Sequence, residues 1–74
     1  MELRKDSQKA DALANLYRAA FYLAKGARQT GVDFFKKAKS QFQLRPIGEI
    51  KTHQQELYWA EKILDQYQKL KSVV

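Results

Sequence analysis

Leu13, Leu16, Ala20, Leu23 and Ala27 recur at steps of three and four, and this spacing constrains what the first third of the chain can become. An α-helix turns about 100° per residue, so these positions share one face, and Tyr17 and Ala24 fill the same stripe. A strand would scatter them over both sides of a sheet. The pattern predicts a first helix over about residues 7–25, with Asp6 or Ser7 as N-cap and a run of alanines supplying high helix propensity.

Gly26 and Gly31 bracket the next four residues, and Thr30 stands three positions before Asp33, close to the capping-box pattern of a helix start. A single helix over residues 7–43 would keep the stripe in phase but carry both glycines internally, at about 1 kcal/mol each relative to Ala. A break is therefore expected, followed by a second helix over about residues 31–43 with Val32, Phe35, Ala38 and Phe42 on its face and Phe34 on the flank. Pro46 excludes helix through Arg45, so residues 44–47 read as a connector. The third helix is expected over about residues 48–71, although Thr52 and Gln55 form a second capping-box pattern inside that range. Its stripe, Ile50, Leu57, Ala60, Ile63, Leu64, Tyr67, Leu70 and Val74, covers about half the circumference. That width suits a helix touching two others, or one other and a second subunit. The expected fold is all-α, a small three-helix bundle forming one domain over residues 1–74; the alternative is a long antiparallel helical hairpin that dimerises.

A chain of 74 residues holds one small core, burying only about 60% of the surface its unfolded form exposes. Small scaffolds add disulfides, a structural metal or association, and a sequence with no Cys and one His is left with association. Charge is uneven along it. Residues 1–17 and 52–74 are each balanced, whereas Arg18, Lys25, Arg28, Lys36, Lys37, Lys39, Arg45 and Lys51 face only Asp33 and Glu49, so residues 18–51 carry the whole net charge of +6. Such a concentrated field attracts acidic proteins, nucleic acid or anionic headgroups.

Catalytic chemistry has little to build on. A Ser-His-Asp arrangement needs a histidine beside a nucleophile, and His53 is far in sequence from Ser7, Ser40 and Ser72. Gly26, Gly31 and Gly48 match neither the dinucleotide nor the phosphate-loop spacing. His53 and Glu56 lie one turn apart and resemble half of a bundle metal pair, but such sites draw on several carboxylates. The simpler expectation is that a nearby Lys or Arg and the helix N-terminus stabilise Glu56. No enzyme activity, cofactor or metal is expected. Neither a secretory leader nor the roughly 20 apolar residues of a membrane span is present, and the lack of Cys fits the cytoplasm.

Two surfaces stand out. Tyr22, between Arg18 and Lys25, is the aromatic member of a candidate anion or nucleic-acid surface that also includes Arg28, Lys36, Lys37 and Lys39. Trp59, Ile63 and Leu70 form a candidate protein-docking edge on the third helix. The expected function is a small non-enzymatic protein-interaction module that self-associates and meets an acidic protein partner through its basic centre. A nucleic-acid-binding helical domain is the alternative.

Overall fold

The computed structural model describes residues 3–42 and 44–72, with side chains from residue 9 onward. Three helices make up its regular structure: α1 spans Leu3–Lys25, α2 Arg28–Gln41 and α3 His53–Ser72, and no strand occurs among the described residues. The all-α expectation holds, in the three-helix form. At 1.5 Å per residue, α1 is about 35 Å long, and it dominates the longest dimension of the molecule, 44 Å.

The break between the first two helices lies where Gly26 allows it. Gly26 adopts φ of 91°, a left-handed conformation that L side chains rarely take. The N–H of Gly26 donates to the Leu23 carbonyl and that of Ala27 to the Tyr22 carbonyl, the paired bonds that close a helix C-terminus around such a residue. The chain then re-enters helix at once. α2 therefore begins at Arg28 instead of about residue 31; Ala27 is its N-cap with no side-chain cap bond, and Thr30 lies inside the helix, not at its start. Asp33 accepts instead from Gln29, at 3.0 Å. At the other end of the chain's first helix, α1 already runs from Leu3, so Asp6 and Ser7 lie inside it and not at its start.

Gly31 serves packing. A Cβ built there would lie 2.8 Å from Leu23 Cγ and 3.0 Å from the Ala19 carbonyl oxygen, so the absence of a side chain sets how closely α2 lies on α1. Ala19, Leu23, Phe35 and Ala38 are buried in the resulting core, together with Leu16, Ala20, Ala60 and Ile63. The two helices run antiparallel, since Asn15 at the middle of α1 bonds Gln41 at the end of α2, while Tyr22 near the end of α1 stacks on Phe34 at the middle of α2.

α2 ends at Gln41, with Phe42 extended. Residues 44–51 carry no helix, so the third helix starts at His53, about five residues later than expected. The second capping box is the reason. Thr52 Oγ1 accepts from the Gln55 N–H at 3.2 Å, while Gln55 Oε1 accepts from the N–H groups of Lys51 and Thr52, fixing the start at that point. Ile47 and Ile50, freed from a helical pattern, pack against the core from the connector. Gln66 of α3 holds the connector through both backbone groups of Arg45. α1 packs against both other helices, while α2 and α3 barely touch, and the connector fills the space between them.

α3 runs antiparallel to α1. Its first turn brings Glu56 beside Gly26, and Tyr67 near its end lies 5.9 Å from Tyr17, ring to ring. Ala60 and Ile63 are buried and Tyr67 and Leu70 partly so, but Leu57 and Leu64 of the expected stripe stay exposed. Val74 falls outside the described residues.

Candidate functional site

Among the described residues, Glu56 is the one buried charged side chain, 3% exposed. Arg28 Nε donates to its Oε2 at 3.0 Å and His53 Nδ1 lies 2.8 Å from its Oε1, so both carboxylate oxygens are occupied. The histidine bond, and after it the arginine bond, holds the Glu56 carboxyl below its ordinary value of 4.5 against the opposing effect of burial. Arg28, whose side chain is 43% exposed, is thereby paired, though it still borders the cleft that Lys36 and Lys39 line. It ties the start of α2 to the first turn of α3, the structural role expected for Glu56's partner. No group of three or more metal-ligating side chains occurs among the described residues.

A carboxyl whose pKa is depressed by folding contributes stability that is complete above the unfolded value and disappears as pH falls through the folded one. Acid titration of the native protein is therefore expected to show loss of stability setting in below about pH 4.5, where Glu56 gains its proton. Glu56→Gln should be less stable than wild type at pH 7 and show a shallower decline in acid, by thermal melts followed with circular dichroism. Parallel pH curves for the two proteins would assign the acid sensitivity elsewhere.

Tyr22 does not face open solvent. Its ring stacks on Phe34 of α2 with centroids 5.6 Å apart and planes 10° from parallel. Lys25 Nζ lies 5.9 Å from the Tyr22 ring, and Arg18 and Lys37 lie 5.8 and 5.3 Å from the Phe34 ring. The structure thus brings Arg18, Tyr22, Lys25 and Lys37 together, with Phe34 as a member that sequence reasoning placed only on a helix flank. Each ring gives one face to the other and is approached by cations, which leaves little room for a nucleobase to stack.

Lys36 and Lys39 belong to a different surface. They flank a cleft of about 360 Å³ between α2 and the connector, whose apolar floor is Val32, Phe35, Ile47 and Ile50. Neither lysine has an ion-pair partner among the described residues.

The Trp59, Ile63, Leu70 edge is not a surface strip. Ile63 is completely buried, Leu70 is partly buried against the core, and Trp59 lies on the connector, its Cζ2 2.8 Å from where a Gly48 Cβ would be. The connector, whose residues 48–51 were expected to be the first turn of the third helix, covers this side of α3. Tyr58, beside Trp59, is nevertheless 51% exposed, and further exposed apolar side chains lie elsewhere on α1 and α3. Tyr17 and Phe21 of α1 are 55% and 48% exposed, and Leu57 and Leu64 of α3 are 46% and 38% exposed. Tyr17 meets Tyr67 where α1 and α3 lie antiparallel, Phe21 stands beside Tyr17 on α1, and Leu57 and Leu64, seven residues apart, share one face of α3. The width of the α3 stripe was the signal for this face; which part of that stripe the fold would cover was not in it.

No helix among the described residues is long and apolar enough to cross a membrane. Comparison with protein-family models, curated proteins and solved structures finds no match.

Proposed function

We propose that this protein is a protein-interaction module that associates with a second copy of itself through the seam of α1 and α3. The observation that carries this reading is the set of four large apolar side chains, Tyr17 and Phe21 on α1 and Leu57 and Leu64 on α3, left uncovered by a domain whose core is small. Contiguous apolar surface of this kind marks a docking site. Its borders favour a second copy as the occupant.

Arg18 and Lys25 border the α1 side, where Lys25 Nζ lies 5.1 Å from the Phe21 ring. On the α3 side, helical spacing places Glu61 beside Leu57 and Leu64, with Asp65 one turn further on. Both acids are exposed and make no ion pair among the described residues. A two-fold axis parallel to the helices would lay α1 of one copy over α3 of the other, bringing each basic border against an acidic one. The product is an antiparallel four-helix layer in which the Arg18 and Lys25 border of one copy runs along the Glu61 and Asp65 border of the other. The other two-fold, across the helices, sets like charges together. A binding role, not a catalytic one, fits a molecule whose distinctive surfaces are an apolar seam and a basic face.

Sedimentation equilibrium at micromolar concentration is expected to show dimer. Leu64→Asp should weaken self-association by at least about tenfold, as loss of an interface anchor does, while leaving the helical circular dichroism intact. Lys25→Glu should weaken it less, and adding Glu61→Lys to that variant should restore it, because the two sites exchange charge across the axis. A strictly monomeric native protein, or a Leu64→Asp variant that associates as before, would refute the reading. Association of an unrelated acidic or basic protein with this seam would replace the second copy as its occupant.

A further inference from the structure

The cleft between α2 and the connector is separate from the α1 and α3 seam and shares no lining residue with it. Its floor comes from two sources. Val32 and Phe35 stand three residues apart on α2, and Ile47 and Ile50 stand three apart on the extended connector, all four only partly covered except Phe35. Lys36 and Lys39 continue the Val32 and Phe35 stripe at helical spacing, so both amines stand over the apolar floor. The lining contains no Asp or Glu. Asp33 is engaged by Gln29 on the outer face of α2, and Glu49 by Lys51, at 3.8 Å, so the nearby acids are already occupied.

An apolar floor with unpaired cations on its rim selects its ligand by two complementary features. Burying Val32, Phe35, Ile47 and Ile50 requires apolar anchors about one helical turn apart, since the stretch from Val32 to Lys39 is only about 10 Å long. Neutralising Lys36 and Lys39 requires carboxylates beside those anchors. Nucleic acid satisfies the second requirement and leaves the floor wet. We propose that this cleft binds an acidic amphipathic segment of another protein, with two apolar residues three or four positions apart seated between α2 and the connector and flanking Asp or Glu side chains on Lys36 and Lys39.

The proposal stands independently of the dimer, since a Leu64→Asp monomer retains the cleft. Selection from a displayed library of random 15-residue peptides on the full-length protein is expected to enrich acidic sequences carrying that apolar pair. The best peptide, made synthetically, should perturb the fluorescence of Trp59, the chain's one tryptophan, which lies against Gly48 of the cleft lining. Reversing both amines in Lys36→Glu with Lys39→Glu should lower its affinity at least tenfold with unchanged helical content, as should replacing the peptide's two apolar anchors by Ala. Both lysines are exposed, so the variant keeps its fold. Enrichment of no sequence, or of basic or uncharged ones, would overturn the proposal. So would a selected peptide whose affinity ignores the lysine reversal. Displacement of the peptide by a single-stranded oligonucleotide at lower concentration than free peptide requires would assign the cleft to nucleic acid instead.

Discussion

Ile63→Ala is expected to destabilise the protein by about 2–5 kcal/mol, the range for truncating a fully enclosed aliphatic side chain. Ile63 has no exposed surface and sits in the cluster that joins α1, α2 and α3, so the vacated volume has few mobile neighbours to fill it. A chain of 74 residues has a total stability of roughly 4–11 kcal/mol on the usual per-residue scale. The substitution therefore removes a large share, and urea denaturation should show a midpoint shift of that size with an unchanged slope. Leu64→Ala, on the same helix and one residue later, makes the contrast. With Leu64 38% exposed, it should cost the monomer under about 1 kcal/mol. Equal losses at the two positions would mean that α3 is rotated from the orientation described here. Protein concentration must be matched between samples, since association stabilises the folded state.

Gly31→Val carries the second large effect, and Gly31→Ala decides between opposing terms. Ala gains about 1 kcal/mol over Gly in a helix interior through propensity alone. Against this, its Cβ would meet Leu23 Cγ at 2.8 Å and a backbone oxygen of Ala19 at 3.0 Å. Leu23 is fully buried and the carbonyl belongs to α1, so relief requires the helices to separate. Overpacking of this kind costs about 1–3 kcal/mol, and its upper part exceeds the propensity gain. Gly31→Ala is accordingly expected to lower the melting temperature by about 4–8 °C, the shift produced by roughly 1 kcal/mol in a domain of this size. Gly31→Val, with two further methyl groups against the same atoms, should lower it by more than twice that. Thr30→Ala, one position away on the exposed side, should leave it unchanged or raised. A rise in melting temperature for Gly31→Ala would mean that α2 rides higher on α1 and that the glycine is not the contact.

Gly31 also shows how far local reading reaches. Its neighbourhood looked like a helix start, because a threonine, a glycine and an acidic residue at these spacings make a recognised N-terminal pattern. The actual start is three residues earlier, decided by Gly26, whose left-handed backbone and two closing hydrogen bonds terminate α1 so abruptly that only Gly26 and Ala27 lie between the helices. The other capping box, Thr52 with Gln55, was legible and correct. Periodicity had extended the third helix back over Ile50 because that residue falls in phase with the stripe, but in-phase apolar residues are equally useful to an extended segment that packs on the core.

Of the candidate residues, Arg18, Tyr22, Lys25 and Lys37 gather on one face, and Lys36 and Lys39 on another, where Arg28 also borders the cleft but is paired with Glu56. Glu56's need for a basic partner followed from its place on an apolar stripe. That Arg28 would answer it did not, because the two are distant in sequence and meet only once α1 has turned back at Gly26.

By itself, the sequence determined three amphipathic helices, the breaks at Gly26 and Pro46, the start signal at Thr52, and a basic middle flanked by neutral ends, all of which follow from interactions within a few residues. Only the tertiary structure decided which half of each apolar stripe is covered. Burial depends on what packs opposite, so the connector took Trp59 and the core took Ile63, while Tyr17, Phe21, Leu57 and Leu64 were left facing outward for want of a fourth element to cover them.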